Sequence, residues 1–153
     1  MIIIREAQNE DLEKLQFLDD EVFIDNQQYD SDLDMDWAKS ERGRQYFSDL
    51  LKDPNSYCLL AQDNGKPIGY LVCLPKNVNY RKNKCVEIGN MGISPKYRSQ
   101  GIGSMLIKKT LEWAKSEGYQ KMYVSSYFDN QKAIMFYKKN GFLEIDLGLE
   151  QDL

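Results

Sequence analysis

The chain has 153 residues, 42% of them hydrophobic, and no Gly/Pro/Ser-rich linker, so the sequence predicts one domain, residues 1–153, around a single core. It contains no histidine, which excludes triad hydrolases and most zinc enzymes, and no metal site is expected. The net charge of −4 at pH 7 argues against nucleic acid as a partner.

The N-terminus and the cysteines indicate the compartment. The opening Met-Ile-Ile-Ile-Arg-Glu is too short an apolar run for a signal peptide, and no stretch approaches the roughly 18 apolar residues of a membrane span. A cytoplasmic protein without a membrane partner is therefore expected. Cys58, Cys73 and Cys85 lie in strand-like runs without C-x-x-C spacing, which predicts buried free thiols.

Hydrophobic periodicity predicts alternating strands and helices along the chain. The predicted strands are 2–6, 57–61, 68–74, 85–93, 122–126 and 142–149, and the predicted helices are 10–23, about 38–52, 102–117 and 130–139. The Asn64-Gly65 step between the second and third strands is a strong hairpin signal.

The stretch 91–104 carries the most functional information. It runs from the end of a strand through a basic, glycine-containing turn into an amphipathic helix, and such a junction points backbone N–H groups and a helix N-terminus at one spot. Gly101 and Gly103 let the backbone approach a ligand, and Arg98 adds a fixed positive charge. The pattern predicts a site for a phosphate-bearing ligand.

Three known phosphate-binding patterns are candidates for this loop. A Walker A loop fails because Lys108 stands where its second glycine belongs, and the dinucleotide pattern G-x-G-x-x-G ends on Leu106 instead of a small residue. The third pattern, Arg98-x-x-Gly101-x-Gly103, resembles the pyrophosphate loop of the GNAT family of N-acetyltransferases. An ordinary strand-to-helix turn is the alternative.

Other parts of the chain resemble the same family. Residues 130–142 are similar to its second signature, and residues 2–15 and 65–72 are similar to its first strand and helix and its central hairpin. The resemblance implies an α/β (α+β) fold with a mixed, mostly antiparallel sheet of six to seven strands and about four helices. It also implies transfer of acetyl from acetyl-CoA to an amine by direct transfer in a ternary complex, and a homodimer.

The resemblance places acetyl-CoA on the strand end, the loop and the second signature helix. The residues implied for cofactor binding are Met91, Gly92, Ile93, Arg98, Ser99, Gln100, Gly101, Ile102, Gly103, Ser104, Asn130, Ala133, Phe136 and Tyr137. Gly92 is expected to permit a β-bulge that opens the strand. Asn130 either caps the helix or reaches the pantetheine amides.

The amine must lose a proton before it attacks, because an unperturbed alkylammonium has a pKa of about 10.4. Without histidine a carboxylate is the natural base. Glu87 is the only acid between Lys66 and Glu112, and its place resembles the base of the histone-acetylating branch. The alternatives are a water relay and a strand glutamate that faces solvent.

The departing sulfur needs a proton donor. Tyr137, at the tyrosine of the second signature, is the candidate because a thiol pKa near 8.5 and a phenol pKa near 10 are close. The alternative is a tyrosine packed under the pantetheine channel. Backbone N–H groups between Met91 and Ile93 could hold the thioester oxygen.

Charge divides the chain into a basic and an acidic part. Residues 76–139 have thirteen Lys/Arg against four Asp/Glu, which suits a polyanionic cofactor, whereas eight carboxylates and no base lie between Lys14 and Lys39. The acidic stretch either attracts a cationic small molecule, a lysine or an N-terminal amine, or is a solvated loop. The predicted acceptor-binding residues are Tyr29, Asp32, Trp37 and Asn90.

Two other functions stay open from the sequence. A non-catalytic acyl-CoA-binding or regulatory module would keep the cofactor loop without productive acceptor chemistry. A nucleotide-binding protein would prefer ATP or NAD to coenzyme A.

Overall fold

Five apolar runs form one sheet in the computed structural model, which describes residues 1–153. The strands are β1 (Ile2–Glu6), β2 (Tyr57–Asp63), β3 (Lys66–Lys76), β4 (Cys85–Ile93) and β5 (Lys121–Val124). They lie side by side in chain order, antiparallel except for the parallel pair β4 and β5. Asn64 and Gly65 have φ of 48° and 84°, which is the turn geometry that an Asn-Gly hairpin needs.

Four helices cover the sheet: α1 (Leu12–Asn26), α2 (Glu41–Lys52), α3 (Ile102–Ser116) and α4 (Gln131–Lys139). Leu15 and Leu18 of α1 and Phe47 of α2 pack on one face against a buried cluster that includes Tyr70. On the other face α3 is buried against a second cluster, and α4 packs at its border. The mixed α/β fold and the four helices agree with the expectation.

The three cysteines are buried and free, as the sequence predicts. No helix has the length and apolar character needed to cross a bilayer.

A β-bulge in β4 decides which side chains face which helices. Cys73 of β3 pairs with Ile88 whereas Val72 pairs with Asn90, so Gly89 is an extra residue on β4. Because side chains alternate along a strand, one extra residue exchanges the two faces beyond it. The sequence predicts this bulge at Gly92, and that prediction is wrong because the extra residue is Gly89.

Gly92 is needed for another reason. A Cβ there would collide with Val22 of α1, and it would lie 3.3 Å from the Tyr70 ring. The missing side chain therefore lets α1 approach the end of β4.

The expected sheet of six to seven strands is also wrong, because the predicted strand 142–149 does not form. Residues 143–153 make no backbone hydrogen bond, and their apolar side chains, such as Leu143 and Leu149, stay exposed. The sheet therefore ends at β5.

Candidate active site

The sheet opens between β4 and β5. Their pairing ends at Ile88 and Val124, whereas β4 continues to Ile93. The bulge at Gly89 lies at this point, and bulges bend a strand and interrupt its ladder. Beyond Ile88, the edge of β4 that faces away from β3 therefore has backbone groups without a strand partner, where the cofactor arm was expected.

A row of unpaired backbone N–H groups lies between β4 and α3. None of the N–H groups of residues 99–104 donates to a protein acceptor. Ser99 and Gly101 have φ of 60° and 82°, and Gly101 directly precedes α3. Left-handed residues next to a helix N-terminus form a concave set of donors, which suits an anion.

Arg98 is held by the protein itself. Its Nε donates to the Ile93 carbonyl at 2.9 Å, and its guanidinium pairs with Asp25 of α1. Gln100 similarly donates to the Lys96 carbonyl at 3.1 Å. In this arrangement the two side chains brace the loop, while its backbone N–H groups stay free.

The second signature helix packs directly on the loop. A Cβ at Gly103 would lie 2.8 Å from Cζ of Phe136, so this glycine lets the Phe136 ring cover the start of α3. Asn130 caps α4, because its Oδ1 accepts from the Ala133 N–H at 3.1 Å. Of the two roles expected for Asn130, helix capping and contact with the pantetheine amides, the structure shows helix capping.

Tyr137 of α4 packs between aromatic rings on the α3 side of the sheet. Its ring centroid lies 5.3 Å from that of Phe136 and 5.7 Å from that of Phe142. Burial raises the pKa of Tyr137 to about 12, so its hydroxyl keeps its proton at neutral pH. The hydroxyl has no hydrogen-bond partner in the protein and can donate to a ligand.

Glu87 lies on the opposite face of the sheet. Its neighbours Val86 and Ile88 belong to the core under α3, so alternation turns Glu87 toward α2. Its half-buried carboxylate has no hydrogen bond or ion pair. Tyr46 of α2 is close, since its hydroxyl would lie 3.7 Å from a Cβ at Gly89.

Asp19 of α1 is a buried carboxylate that sequence reasoning counted only as one acid of the acidic stretch. Its Oδ1 accepts from the Tyr70 hydroxyl at 2.9 Å and from Nδ2 of Asn90 at 2.7 Å. Its Oδ2 is buried without a partner. Burial is the main cause that raises the pKa of Asp19, against the lowering effect of these two hydrogen bonds. A signal existed in the sequence: Asp19 lies four residues after the apolar Leu15, which places both on the inner face of α1.

The predicted acceptor residues belong to separate aromatic contacts. Trp37 stacks on Phe23 with centroids 5.8 Å apart and meets the edge of Tyr46 at 5.5 Å. Tyr29 instead stacks on Tyr127, beyond β5, at 6.0 Å. Trp37 thus lies beside the Tyr46 and Glu87 region, whereas Tyr29 is part of a different contact.

Asn90 faces Asp19 and Tyr70. The Tyr70 hydroxyl lies 2.6 Å from Asn90 Oδ1, and Asn90 Nδ2 donates to Asp19. The Tyr70 hydroxyl has one proton and donates it either to Asp19 or to Asn90 Oδ1. The Asn90 amide is therefore held chiefly by its NH2 group on Asp19, on the α1 side of the opening.

The acidic stretch is largely bound by the protein itself. Asp25 pairs with Arg98, Asp34 with Arg42 at 2.6 Å, and Asp30 accepts from Tyr127 at 2.8 Å. The exposed carboxylates of Asp32 and Asp36 have no such partner. These two acids are exposed, lack a protein partner and are available to a cation in solution.

Comparison with known proteins agrees with these features. Residues 25–142 match the model of the acetyltransferase (GNAT) family. An uncharacterized N-acetyltransferase from Methanocaldococcus jannaschii is 34% identical over 109 residues, which are 71% of this chain and 48% of that protein. The chain thus spans about half of that relative's length.

Solved structures share the fold. A point mutant of the BH1408 protein from Bacillus halodurans has a TM-score of 0.87 at 21% identity, over 99% of both chains. AAC(6')-Iy, in complex with the bisubstrate analogue CoA-S-monomethyl-acetylneamine, has a TM-score of 0.76 at 16% identity, over 100% of this chain and 98% of that one.

The buried Asp19 predicts a pH dependence of stability. Its folded pKa lies above the ordinary value of 3.8, so the folded state holds this proton more tightly. The free energy of unfolding should therefore fall as pH rises from about 3.8 through the folded pKa, and stay lower above it. The amide of Asp19→Asn does not titrate, so this variant lacks the contribution of residue 19 to the pH dependence. In urea unfolding across this window, the wild type should lose stability relative to Asp19→Asn as pH rises.

Asp20→Asn is the matched control, because it removes the same charge from the next residue, whose side chain is 19% exposed and 3.8 Å from Lys39. Parallel stability curves for the wild type and Asp19→Asn would contradict the assignment.

Proposed function

Because the chain belongs to the acetyltransferase (GNAT) family, we propose that it transfers the acetyl group of acetyl-CoA to a primary amine. The observation that carries this proposal is the row of free N–H groups at residues 99–104. The pyrophosphate of coenzyme A is an anion that suits such a row at a helix N-terminus. The coenzyme A analogue bound to AAC(6')-Iy supports the same choice.

In this proposal the loop holds the cofactor with its backbone. Arg98 keeps its hydrogen bond to the Ile93 carbonyl and its ion pair with Asp25. These contacts hold the loop conformation and place a guanidinium near the phosphates. The acyl arm enters the opening between β4 and β5 beyond Ile88. Backbone N–H and C=O groups of β4 point alternately toward β3 and toward this opening. An N–H between Met91 and Ile93 then stabilises the negative charge that develops on the thioester oxygen.

Glu87 and Tyr137 would act from opposite faces of the sheet. Glu87 takes a proton from the ammonium, directly or through a water, and the free nitrogen attacks the thioester carbon. As the C–N bond forms and the C–S bond breaks, the nitrogen releases its second proton to water, and the leaving thiolate accepts a hydrogen bond from the Tyr137 hydroxyl and takes a proton from solvent. The unpartnered carboxylate of Glu87 supports its role as the base. The pKa of Tyr137, raised to about 12, keeps its hydroxyl protonated but lies well above a thiol pKa near 8.5, so the role of Tyr137 is a hydrogen bond to the leaving sulfur more than a completed proton transfer.

The acceptor would be a cationic amine that approaches on the α2 side. Asp32 and Asp36 are exposed and free of basic partners, and Trp37 offers an aromatic surface beside Tyr46. The analogue bound to AAC(6')-Iy joins coenzyme A to a monomethyl-acetylneamine. We therefore favour small polycations over a single lysine or N-terminal amine.

The cofactor cradle can be tested by removing one N–H group. Proline is tolerated in the first turn of a helix, so Ser104→Pro should keep the fold while one donor is lost. We expect coenzyme A to bind about 10-fold more weakly, because a hydrogen bond to a charged group contributes roughly 1.5 kcal/mol. Isothermal titration calorimetry measures the affinity of each variant for coenzyme A.

Ser104→Ala is the control, since it removes the hydroxyl and keeps the N–H. Equal affinity of Ser104→Pro and the wild type would contradict the cradle. In thermal shift the wild type should be stabilised by coenzyme A more than by ATP or NAD, and the reverse order would favour a nucleotide-binding protein.

Substitution of the two proposed catalytic groups should slow the chemical step. We expect Glu87→Gln and Tyr137→Phe each to lower kcat by about 100-fold, the lower end of general acid–base effects, with coenzyme A affinity unchanged. The kcat is measured with the best amine of a panel of polyamines, aminoglycosides, amino acids and peptides.

Glu112→Gln and Tyr80→Phe, both at exposed positions, are the matched controls. Unchanged turnover in Glu87→Gln or Tyr137→Phe would remove that residue's role. If no amine in the panel is acetylated although coenzyme A binds, the chain is the non-catalytic module instead.

The acceptor class has its own test. For a polycationic amine, Asp32→Asn with Asp36→Asn should raise KM by about 3-fold to 30-fold, since each exposed charge pair contributes roughly 0.3–1 kcal/mol. Salt should raise the wild-type KM. Glu117→Gln removes an exposed acid elsewhere and is the control. A KM that ignores both salt and these substitutions would argue against a polycation.

A further inference from the structure

A cavity of about 730 Å³ lies at the loop between β3 and β4. It is lined by residues 75–85 and by Tyr119, which follows α3. β4 begins here at Cys85 and ends at Ile93, next to the cofactor loop, and eight steps along a strand span about 26 Å. The cavity is therefore separate from the cofactor loop, and its volume is in the range of small-molecule sites.

The wall of this cavity carries four cations and no acid. Lys76, Arg81, Lys82 and Lys84 line it, and none of them belongs to an ion pair. Burial raises the pKa of the Cys85 thiol in the same wall, and Arg81 and Lys76 are the first two charges that oppose the rise. The positive charges thus converge on one point. A concave surface of one sign attracts ligands of the opposite sign, here an anion with several negative charges.

Two of the lysines are held in place by groups that leave their charge intact. Nζ of Lys76 lies 4.1 Å from the centroid of the Tyr123 ring, and Nζ of Lys84 lies 4.1 Å from that of the Tyr119 ring. Nζ of Lys84 also donates to the Glu117 carbonyl at 3.1 Å. An aromatic face attracts an ammonium without neutralising it. These two cations are therefore positioned before any ligand binds.

Arg81 is the most informative of the four cations. It is half-buried, and its guanidinium forms no hydrogen bond and no ion pair within the protein; only its backbone N–H is used, donating to the Val78 carbonyl at 3.1 Å. The other half-buried arginine, Arg5, pairs with Asp11 at 2.7 Å. A guanidinium is a planar fork of donors that matches the oxygens of a phosphate. Arg81 is thus available to bind one.

The cavity also offers an aromatic face and amide groups. Tyr80 lines it and is 88% exposed, so its ring is accessible for stacking. Asn77, Asn79 and Asn83 line it as well, and their amides both donate and accept hydrogen bonds. The four cations would suit any polyanion, whereas an exposed ring beside them is suited to a nucleobase that follows the phosphates.

We propose that this cavity is a second ligand site, which binds a nucleoside polyphosphate. The phosphates lie on Arg81, Lys82 and the two lysines held by aromatic rings, and the base stacks on Tyr80. The concave shape favours a small molecule over an extended nucleic acid. The proposal does not depend on the acetyl transfer proposed above, because the cavity shares no residue with the cofactor loop.

A nuclear magnetic resonance titration of the full chain separates the two sites, since backbone amides 77–84 report on the cavity and amides 99–104 on the cofactor loop. We expect ATP to shift amides 77–84 in a saturable way. Arg81→Gln with Lys82→Gln should weaken this binding at least about 10-fold, because hydrogen bonds to charged phosphates are lost. Tripolyphosphate should bind at least about 5-fold more weakly than ATP, and Tyr80→Leu should remove this difference, because base stacking is lost.

Lys108→Gln with Lys115→Gln is the matched control, because it removes the same charge from exposed positions of α3, and it should leave the affinity unchanged. Tyr80→Phe should keep the preference for ATP. Amides 77–84 that do not shift with ATP overturn the proposal, and so does equal affinity of the wild type and the double cavity variant. An equal loss in the α3 control also overturns it, because binding would then follow net charge alone. Equal binding of ATP and tripolyphosphate to the wild type overturns the nucleoside part.

Discussion

The extra residue at Gly89 is the constraint on which the rest of the site depends. Ahead of it, Val86 and Ile88 face α3 and Glu87 faces the other way. Beyond it, Asn90 faces α1 although it would otherwise continue the α3 side. Without the bulge an amide would enter the apolar core, at a cost of about 1–3 kcal/mol for an unpaired polar group. The bulge thus keeps the Asn90 amide out of the apolar core, and it also separates β4 from β5.

The polar contacts on the α1 side show what this arrangement costs. Asp19 is buried, one of its oxygens has no partner, and its pKa is raised, so the ionised carboxylate opposes folding. It nevertheless joins α1 to Tyr70 on β3 and to Asn90 on β4. A leucine would pack there without that cost but could not hold the Asn90 amide. The network fixes the position of β4 just where its neighbour strand is lost.

Local patterns in the sequence predicted most of the fold, and long-range geometry accounts for what they missed. The strand 85–93 and the Asn64-Gly65 turn are local features, and both were right. The bulge was assigned to Gly92 instead of Gly89, because a glycine that avoids Val22 of α1 and a glycine that bulges look alike in a sequence. The partners of the acidic stretch were missed for the same reason, since Arg98 is far from Asp25 along the chain.

The failed strand 142–149 is a different kind of miss, because its alternating apolar pattern is real but residues 143–149 make no backbone hydrogen bond. Its surroundings connect it to the acidic stretch. Burial first, then the hydrogen bond to Asp30 and the charges of Asp30 and Glu150, raise the pKa of Tyr127 to about 12, so residue 150 lies near a tyrosine that holds the acidic stretch. Tyr127 also stacks on Tyr29. Tyr127 therefore connects the segment after α4 with the acidic loop that carries Tyr29 and Asp30, a long-range contact that no local pattern in the sequence predicts.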